Sequence, residues 1–415
     1  MTRRSPDLFP TGLRRRQLAG LTLAGLMPGW AGAQQPQPQA APASSAHRQV
    51  GCGGAQSALH WQAFLQRHVQ PDGRVIDFDT PQQQSTSEGQ SYTLFFALVH
   101  NDRPLFERVL AWTQSNLSGG RLAQRLPAWQ WGRQPNGNWG VLDANAASDA
   151  DLWIAYALLE AARLWNAPAY RTLGRQLLAR VVAEEVVVLD GLGPMLLPWP
   201  RAVAQGPNWR LNPSYLPVQQ LRRFQQEDPT GPWKAIVDNT LRLLAATSPR
   251  GYAPDWCAWS TDTQAFVADP EKGAMASYDA IRVYLWAGMV HAQDPARAAL
   301  LASLDGPRRA LEATQQLPEY VDTRTGATTG QAPTGFYGAC LPYLRALRQD
   351  AAAGAALARI DARAGVSAGG AQPLPYYERC LILFGLGWMQ GDYAFDRHGQ
   401  LQPHWKRACT TARQA

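Results

Sequence analysis

From residue 57 to residue 389 the chain reads as one helix-length run after another, with almost no alternating strand pattern. The spacing predicts helices over 57–69, 88–100, 103–117, 148–165, 167–185, 214–226, 231–247, 276–291, 295–303, 307–315, 334–347, 350–363 and 374–389. In the 148–165 run, Leu152, Ile154, Ala155, Leu158, Leu159, Ala162 and Trp165 form a wide apolar stripe. Ile281 to Val290 is apolar nearly all round, as expected of a helix packed on both sides. With no strong repeat to suggest a solenoid, so many helices in one stretch point to a single toroid of paired helices. The loops are long and rich in Trp, Pro and Gly, as in Leu126–Gly132 and Gly191–Pro200.

The N-terminus is a different kind of sequence. Arg14-Arg15-Arg16 precedes a short apolar run from Leu18 to Met27, and Ala31-Gly32-Ala33 offers a cleavage site. Residues 1–33 therefore read as a signal peptide of the general secretory or the twin-arginine type, its apolar run too short to span a bilayer. That places the mature chain in the periplasm or outside the cell. Residues 34–51 read as a Pro/Gln/Ala linker, and 52–415 as one domain. The leader carries +4 of the formal charge of +7, so the remainder gives little electrostatic case for nucleic acid.

An oxidising compartment would permit disulfides, and a Cys52–Cys409 staple between the domain ends is one candidate among the five cysteines. No C-x-x-C or H-E-x-x-H spacing suggests a metal, and no cofactor is expected.

Three Ser-flanked acids open helix-like runs. Glu88 lies in Ser85-Thr86-Ser87-Glu88-Gly89-Gln90-Ser91-Tyr92. Asp149 lies in Ala147-Ser148-Asp149-Ala150-Asp151, and Asp279 in Ala276-Ser277-Tyr278-Asp279-Ala280-Ile281-Arg282. Each has a structural explanation: Ser85-x-x-Glu88 fits a capping box, and a helix dipole favours an acid in the first turn. Each also suits glycosidic-bond hydrolysis, which needs one protonated carboxyl and, for inversion, a second carboxylate to activate water. The aromatics nearby fit that chemistry, because glucose rings stack on Trp and Tyr.

The segment from Ala147 through Asp149, Asp151, Ile154-Ala155, Ala157-Leu158-Leu159 and Ala161 to Trp165 resembles the signature of glycoside hydrolase family 8. The Glu88 segment, Arg210-Leu211-Asn212-Pro213-Ser214-Tyr215 and Ser277–Tyr284 resemble that family in the same order, over nearly the whole mature chain. The likeness is strongest to its periplasmic endoglucanases associated with bacterial cellulose synthase. It implies an all-α (α/α)6 barrel and an inverting endo-β-1,4-glucanase. It puts Glu88 at the proton donor and Asp279 at the candidate general base. Asp149 falls on the signature acid, described as a nucleophile but expected here to hold and distort the sugar.

Trp131, Trp209, Tyr215, Tyr278, Arg282, Tyr376 and Tyr377 are the expected substrate-binding residues. Arg282, one turn beyond Asp279, is placed to keep that acid ionised. Trp153, Trp286 and Trp388, inside apolar helices, are expected in the core. The partner is a β-1,4-glucan, the chain is expected to be a monomer, and contact with the synthase complex stays open. Two other readings remain: the same fold acting on chitosan or xylan, or a non-hydrolytic glucan-binding component of the export machinery. A chitosanase would need extra acids in its cleft, and the aromatic loops show no such surplus.

Overall fold

The computed structural model describes residues 54–200, 206–364 and 374–406. The expected leader, the linker and both members of the Cys52–Cys409 pair lie outside the described residues. Cys257, Cys340 and Cys380 are buried and free.

Among the described residues there are thirteen α-helices. They are α1 (Ala55–His68), α2 (Ser87–Val99), α3 (Arg103–Leu117), α4 (Ser148–Leu164), α5 (Pro168–Glu185), α6 (Val218–Glu227) and α7 (Trp233–Thr247). The chain continues with α8 (Ile281–Met289), α9 (Arg297–Ser303), α10 (Gly306–Thr314), α11 (Thr334–Ala346), α12 (Asp350–Ala364) and α13 (Tyr376–Met389). Every sequence-based helix is present, most within two or three residues of the expected ends.

Inner and outer helices alternate along the chain. The inner ring runs α2, α4, α6, α8, α11 and α13, each packed on the next. Phe384 of α13 closes the ring against α2, with ring centroids 5.5 Å from Phe95 and 4.7 Å from Phe96. Outside stand α1, α3, α5, α7 and α12, with α9 and α10 together filling the remaining outer position. This is an (α/α)6 barrel. Sequence decides which helix goes inside: all of α8 is buried, and all of α2 except Glu88. A helix apolar nearly all round, such as α8, must be covered on every side.

Aromatic rings fill the barrel axis. Trp153 lies 5.4 Å from Trp286 and 5.3 Å from Phe384, in tilted contacts that large rings favour. Trp388 is half-buried against the same core. Backbones also meet directly. A Cβ at Gly385 would stand 1.8 Å from the Gly338 carbonyl oxygen of α11, so α13 can approach this closely only with glycine there. Below the axis, the fully buried Glu160 accepts hydrogen bonds from Arg163, from Arg223 at 2.6 Å and from the Leu401 N–H at 2.8 Å. One satisfied charge thus ties α4, α6 and the C-terminal hairpin together.

The near absence of strands expected from the sequence is corrected by the structure. Among the described residues, three small antiparallel sheets and two hairpins occupy the connections. The sheets join Ser85–Thr86 with Gln130–Arg133 and Trp139–Asp143; Asn208–Leu211 with Cys257–Ser260 and Ala265–Ala268; and Met275–Ala276 with Tyr320–Asp322 and Thr328–Thr329. Strands of two to five residues carry too little alternation to be read.

Because inner and outer helices alternate, the inner helices all run in one direction. Their N-termini therefore meet at one end of the barrel, where unpaired N–H groups and the helix dipoles favour negative groups. The sheets sit in the loops feeding that end.

Candidate active site

Glu88, Asp149 and Asp279 meet at this end, on the starts of α2 and α4 and just before α8. Arg282 joins two of them. Its Nη1 donates to Asp149 Oδ2 at 3.0 Å and to Tyr92 Oη at 3.3 Å, and its Nη2 donates to Asp279 Oδ1 at 2.5 Å. The guanidinium lies 5.5 Å from the centre of the Tyr215 ring. Trp256 Nε1 donates to the other oxygen of Asp279 at 3.0 Å. Trp129 Nε1 donates to Glu88 Oε1 at 3.1 Å.

None of the three acids serves only the helix-start role its sequence allowed. Thr86, not Ser85, caps α2, its Oγ1 accepting from the Gly89 N–H, and Glu88 points into the cleft rather than back to the cap. Asp149 accepts from the Ala150 N–H at 2.8 Å and is otherwise committed to Arg282. Asp279 and Tyr278 are not on the helix expected over 276–291. They form a turn before α8, and Asp255 holds that turn by accepting from the N–H groups of Ser277 (2.8 Å) and Ala280 (2.7 Å).

The electrostatics follow from three acids around one arginine, with Asp255 beside Asp279. Burial first, and the neighbouring Asp149 second, push the Glu88 carboxyl up to about 8. Burial also raises Asp149 to about 6, with Arg282 and the Ala150 N–H pulling the other way. Asp255 is raised to about 6 by burial and then by Asp279. Low-dielectric surroundings cannot hold so many like charges, so one group keeps its proton, and Glu88 is the one. A protonated carboxyl facing an ion-paired carboxylate is the equipment of acid–base hydrolysis at an acetal carbon.

The expected sugar-contacting residues divide. Tyr215, Tyr278, Arg282 and Tyr377 surround the acids: Tyr377 Oη donates to the Tyr278 carbonyl at 2.6 Å, and Tyr278 Oη to Glu319 Oε1 at 2.9 Å. Tyr376 does not open on the cleft. It is buried, its ring 5.1 Å from His68 and 6.1 Å from Phe64, because adjacent helical residues point about 100° apart.

Trp131 is half-covered. Trp139 stacks on it at 5.6 Å, Trp112 meets its edge and the Arg74 guanidinium lies 4.4 Å from its centre. The open ring of this stack is Trp139, 46% exposed. Trp209, expected to stack on sugar from a loop, lies in the sheet opposite Trp259 and packs against the core, and the tryptophan beside Asp279 is Trp256. Next to Asp279 in sequence, Tyr278 (41%) is exposed, as is Tyr320 (39%), with ring centroids 6.4 Å apart. Open aromatic faces thus lie on the sheet that carries Ser85–Thr86, just before Glu88, and beside Asp279.

Sequence reasoning missed Trp256, Asp255 and Tyr92. Tyr92 was within reach, one turn after Glu88 on the same helix face. Among the described residues no cluster of His, Cys, Asp and Glu could hold a metal ion.

Residues 43–391 match the model of the family described as glycosyl hydrolases family 8. An endoglucanase of Xanthomonas axonopodis pv. citri (strain 306) is 52% identical over 352 residues, spanning 85% of this chain and 90% of its own. An endoglucanase of Escherichia coli (strain K12) is 42% identical over 352 residues, spanning 85% and 92%. The crystal structure of an endo-1,4-D-glucanase from Vibrio fischeri ES114 superposes with a TM-score of 0.76 at 40% identity, over 84% of this chain and 99% of that one. With most of its length, its barrel and its ordered motifs all matched, the chain belongs to glycosyl hydrolase family 8 and is a glycoside hydrolase.

Proposed function

We propose that this enzyme is an endo-β-1,4-glucanase that cuts internal bonds of cellulose in a single inverting step. Glu88 protonates the leaving oxygen. Asp279 takes a proton from the water that attacks the anomeric carbon from the opposite face. Asp149, gripped by Arg282, hydrogen-bonds the sugar at the cleavage point and holds it distorted; inversion leaves it no covalent role. The observation that carries this reading is the Arg282 fork. It fixes Asp149 and Asp279 as ion-paired carboxylates while Glu88, which has no cation partner, retains a proton near neutral pH.

Exposed aromatic rings at two places, Trp139 on the sheet beside the Glu88 segment and Tyr278 beside Asp279, support internal cleavage, since a chain lying across the site needs platforms on either side of the cut. The relatives named above as endoglucanases support the substrate. The leader-like N-terminus and the resemblance to synthase-associated enzymes support action in the periplasm or outside the cell, as a monomer trimming glucan during its synthesis and export. Contact with the synthase itself is part of this proposal.

The test is reducing-end release from carboxymethylcellulose, chitosan and xylan, with viscosity followed in parallel. Carboxymethylcellulose should be the preferred polymer, and its viscosity should fall early, as internal cutting requires. Preference for chitosan or xylan would move the substrate assignment. Inactivity on all three with retained glucan binding would leave only a binding protein.

A further inference from the structure

Arg210 opens one of the ordered sequence motifs, yet it has no part in the chemistry above. It lies on the strand Asn208–Leu211, opposite Ala258 of the neighbouring strand Cys257–Ser260. Its guanidinium is nearly buried and grips the fully buried Asp269 twice, Nε donating to Oδ2 at 2.7 Å and Nη2 to Oδ1 at 3.1 Å. Its Nη1 donates to Glu271 Oε2 at 2.6 Å. Asp269 also accepts from the N–H groups of Glu271 (3.0 Å) and Lys272 (2.7 Å). A planar fork held at all these points has little freedom to turn.

The fork supports Trp256, the residue just before Cys257. The Arg210 guanidinium lies over the indole, 4.9 Å from the ring centre. Trp199 at 5.9 Å and Tyr215 at 6.3 Å tilt against the same ring. The indole has one polar group, its N–H, and that N–H goes to Asp279 Oδ2. Asp255, next along the chain, accepts from the Ser277 and Ala280 N–H groups on either side of Asp279. Two consecutive residues thus hold this turn, one by its backbone and the other by its carboxylate.

Asp279 needs such a hold. It stands in a turn with its side chain 32% exposed, so neither a helix nor close packing fixes its rotamer. Arg282 fixes one oxygen, but the same arginine also serves Asp149. Trp256 fixes the other oxygen and, of the three acids, serves Asp279 alone. Two donors from separate elements set the plane of the carboxylate and leave a second lone pair on each oxygen. A group that takes a proton from water must be aimed this closely, since small misplacements cost rate steeply.

We propose that Trp256 and Arg210 are positioning residues for water activation: Trp256 aims the Asp279 carboxylate, and Arg210, locked on Asp269, holds the indole that does so. Both act through Asp279. This rests on Asp279 being the general base.

Trp256→Phe keeps a ring against Arg210 and removes the N–H. It should lower kcat on carboxymethylcellulose by about 10–100-fold, the worth of one hydrogen bond to a charged group, with KM little changed. The same factor should appear on an aryl cellobioside, because proton donation by Glu88 is untouched. Arg210→Lys keeps the charge but not the fork, and should lower kcat by about 3–10-fold in the same pattern, an effect on the scale of a cation–π contact. The losses should not multiply. In the Asp279→Asn background Trp256→Phe should cost less than about 2-fold more, and in the Trp256→Phe background Arg210→Lys should cost as little.

A rise in KM with kcat unchanged would make Trp256 a sugar platform and overturn the proposal, as would losses that multiply. Full activity of Asp279→Asn would overturn the reading of Asp279 as the base, and the proposal with it. If Trp256→Phe fails to fold, Arg210→Lys decides alone, and an effect on KM only, or none, overturns the proposal. Nitrogen–proton NMR spectra of the indole groups read the contact without an assay. The resonance missing from Trp256→Phe should move upfield in Asp279→Asn, since a neutral oxygen is a weaker acceptor than a carboxylate. An unmoved resonance would overturn the hold on Asp279.

Discussion

Glu88→Gln is expected to lower kcat on carboxymethylcellulose by about 10²–10⁴-fold, with KM little changed, the loss typical of removing a general acid. The amide keeps the shape and can still accept from Trp129 Nε1, so substrate binding should survive. The loss should shrink sharply on an aryl cellobioside, whose leaving group departs without a proton. The pH profile offers a second check. Wild-type activity should fall as pH rises through about 8, where Glu88 gives up its proton. Stability should follow the same direction. The folded protein holds a proton that the unfolded chain, with an ordinary value of 4.5, releases, so this group's contribution is fully present at low pH and is lost as pH rises towards about 8. In Glu88→Gln that component of the pH dependence of Tm should vanish.

Asp279→Asn is expected to cost a similar factor, about 10²–10⁴ in kcat, but with a different signature. The Asn oxygen can accept from Arg282 or Trp256, so the turn before α8 should hold, and circular dichroism should be unchanged. Water activation is lost whatever the leaving group, so the aryl cellobioside should not restore activity. Rates of both variants on the polymer and on the aryl substrate make the measurement. Restoration in Asp279→Asn, or none in Glu88→Gln, would reverse the two roles.

These contrasts depend on features of unequal legibility in the sequence. The helices were readable because apolar residues at a 3.6-residue spacing persist over whole turns, as along Leu152–Trp165. The order of motifs carried the family and therefore the barrel. The start of α8 was set too early because Ser277–Ala280 has helix-like composition, whereas a tertiary contact, Asp255 on two backbone N–H groups, holds it as a turn. No local pattern announces a contact formed 22 to 25 residues away.

The same limit hid Trp256, whose hydrogen bond to Asp279 spans 23 residues. Tyr376 and Tyr377 differ only by rotation around α13, which sends one ring into the core and the other to the cleft. Asp151 reads in the sequence as a second helix-start acid, and only the folded chain shows it to be fully buried.

The account stands on direct displacement by a water held at Asp279, with Asp149 never bonded to the sugar. Proton NMR of the first products released from a cello-oligosaccharide tests this most directly. The new reducing end should appear first as the α-anomer and drift to the equilibrium mixture by mutarotation. First appearance of the β-anomer would mean net retention, and would contradict both the role of Asp279 and the non-covalent role of Asp149.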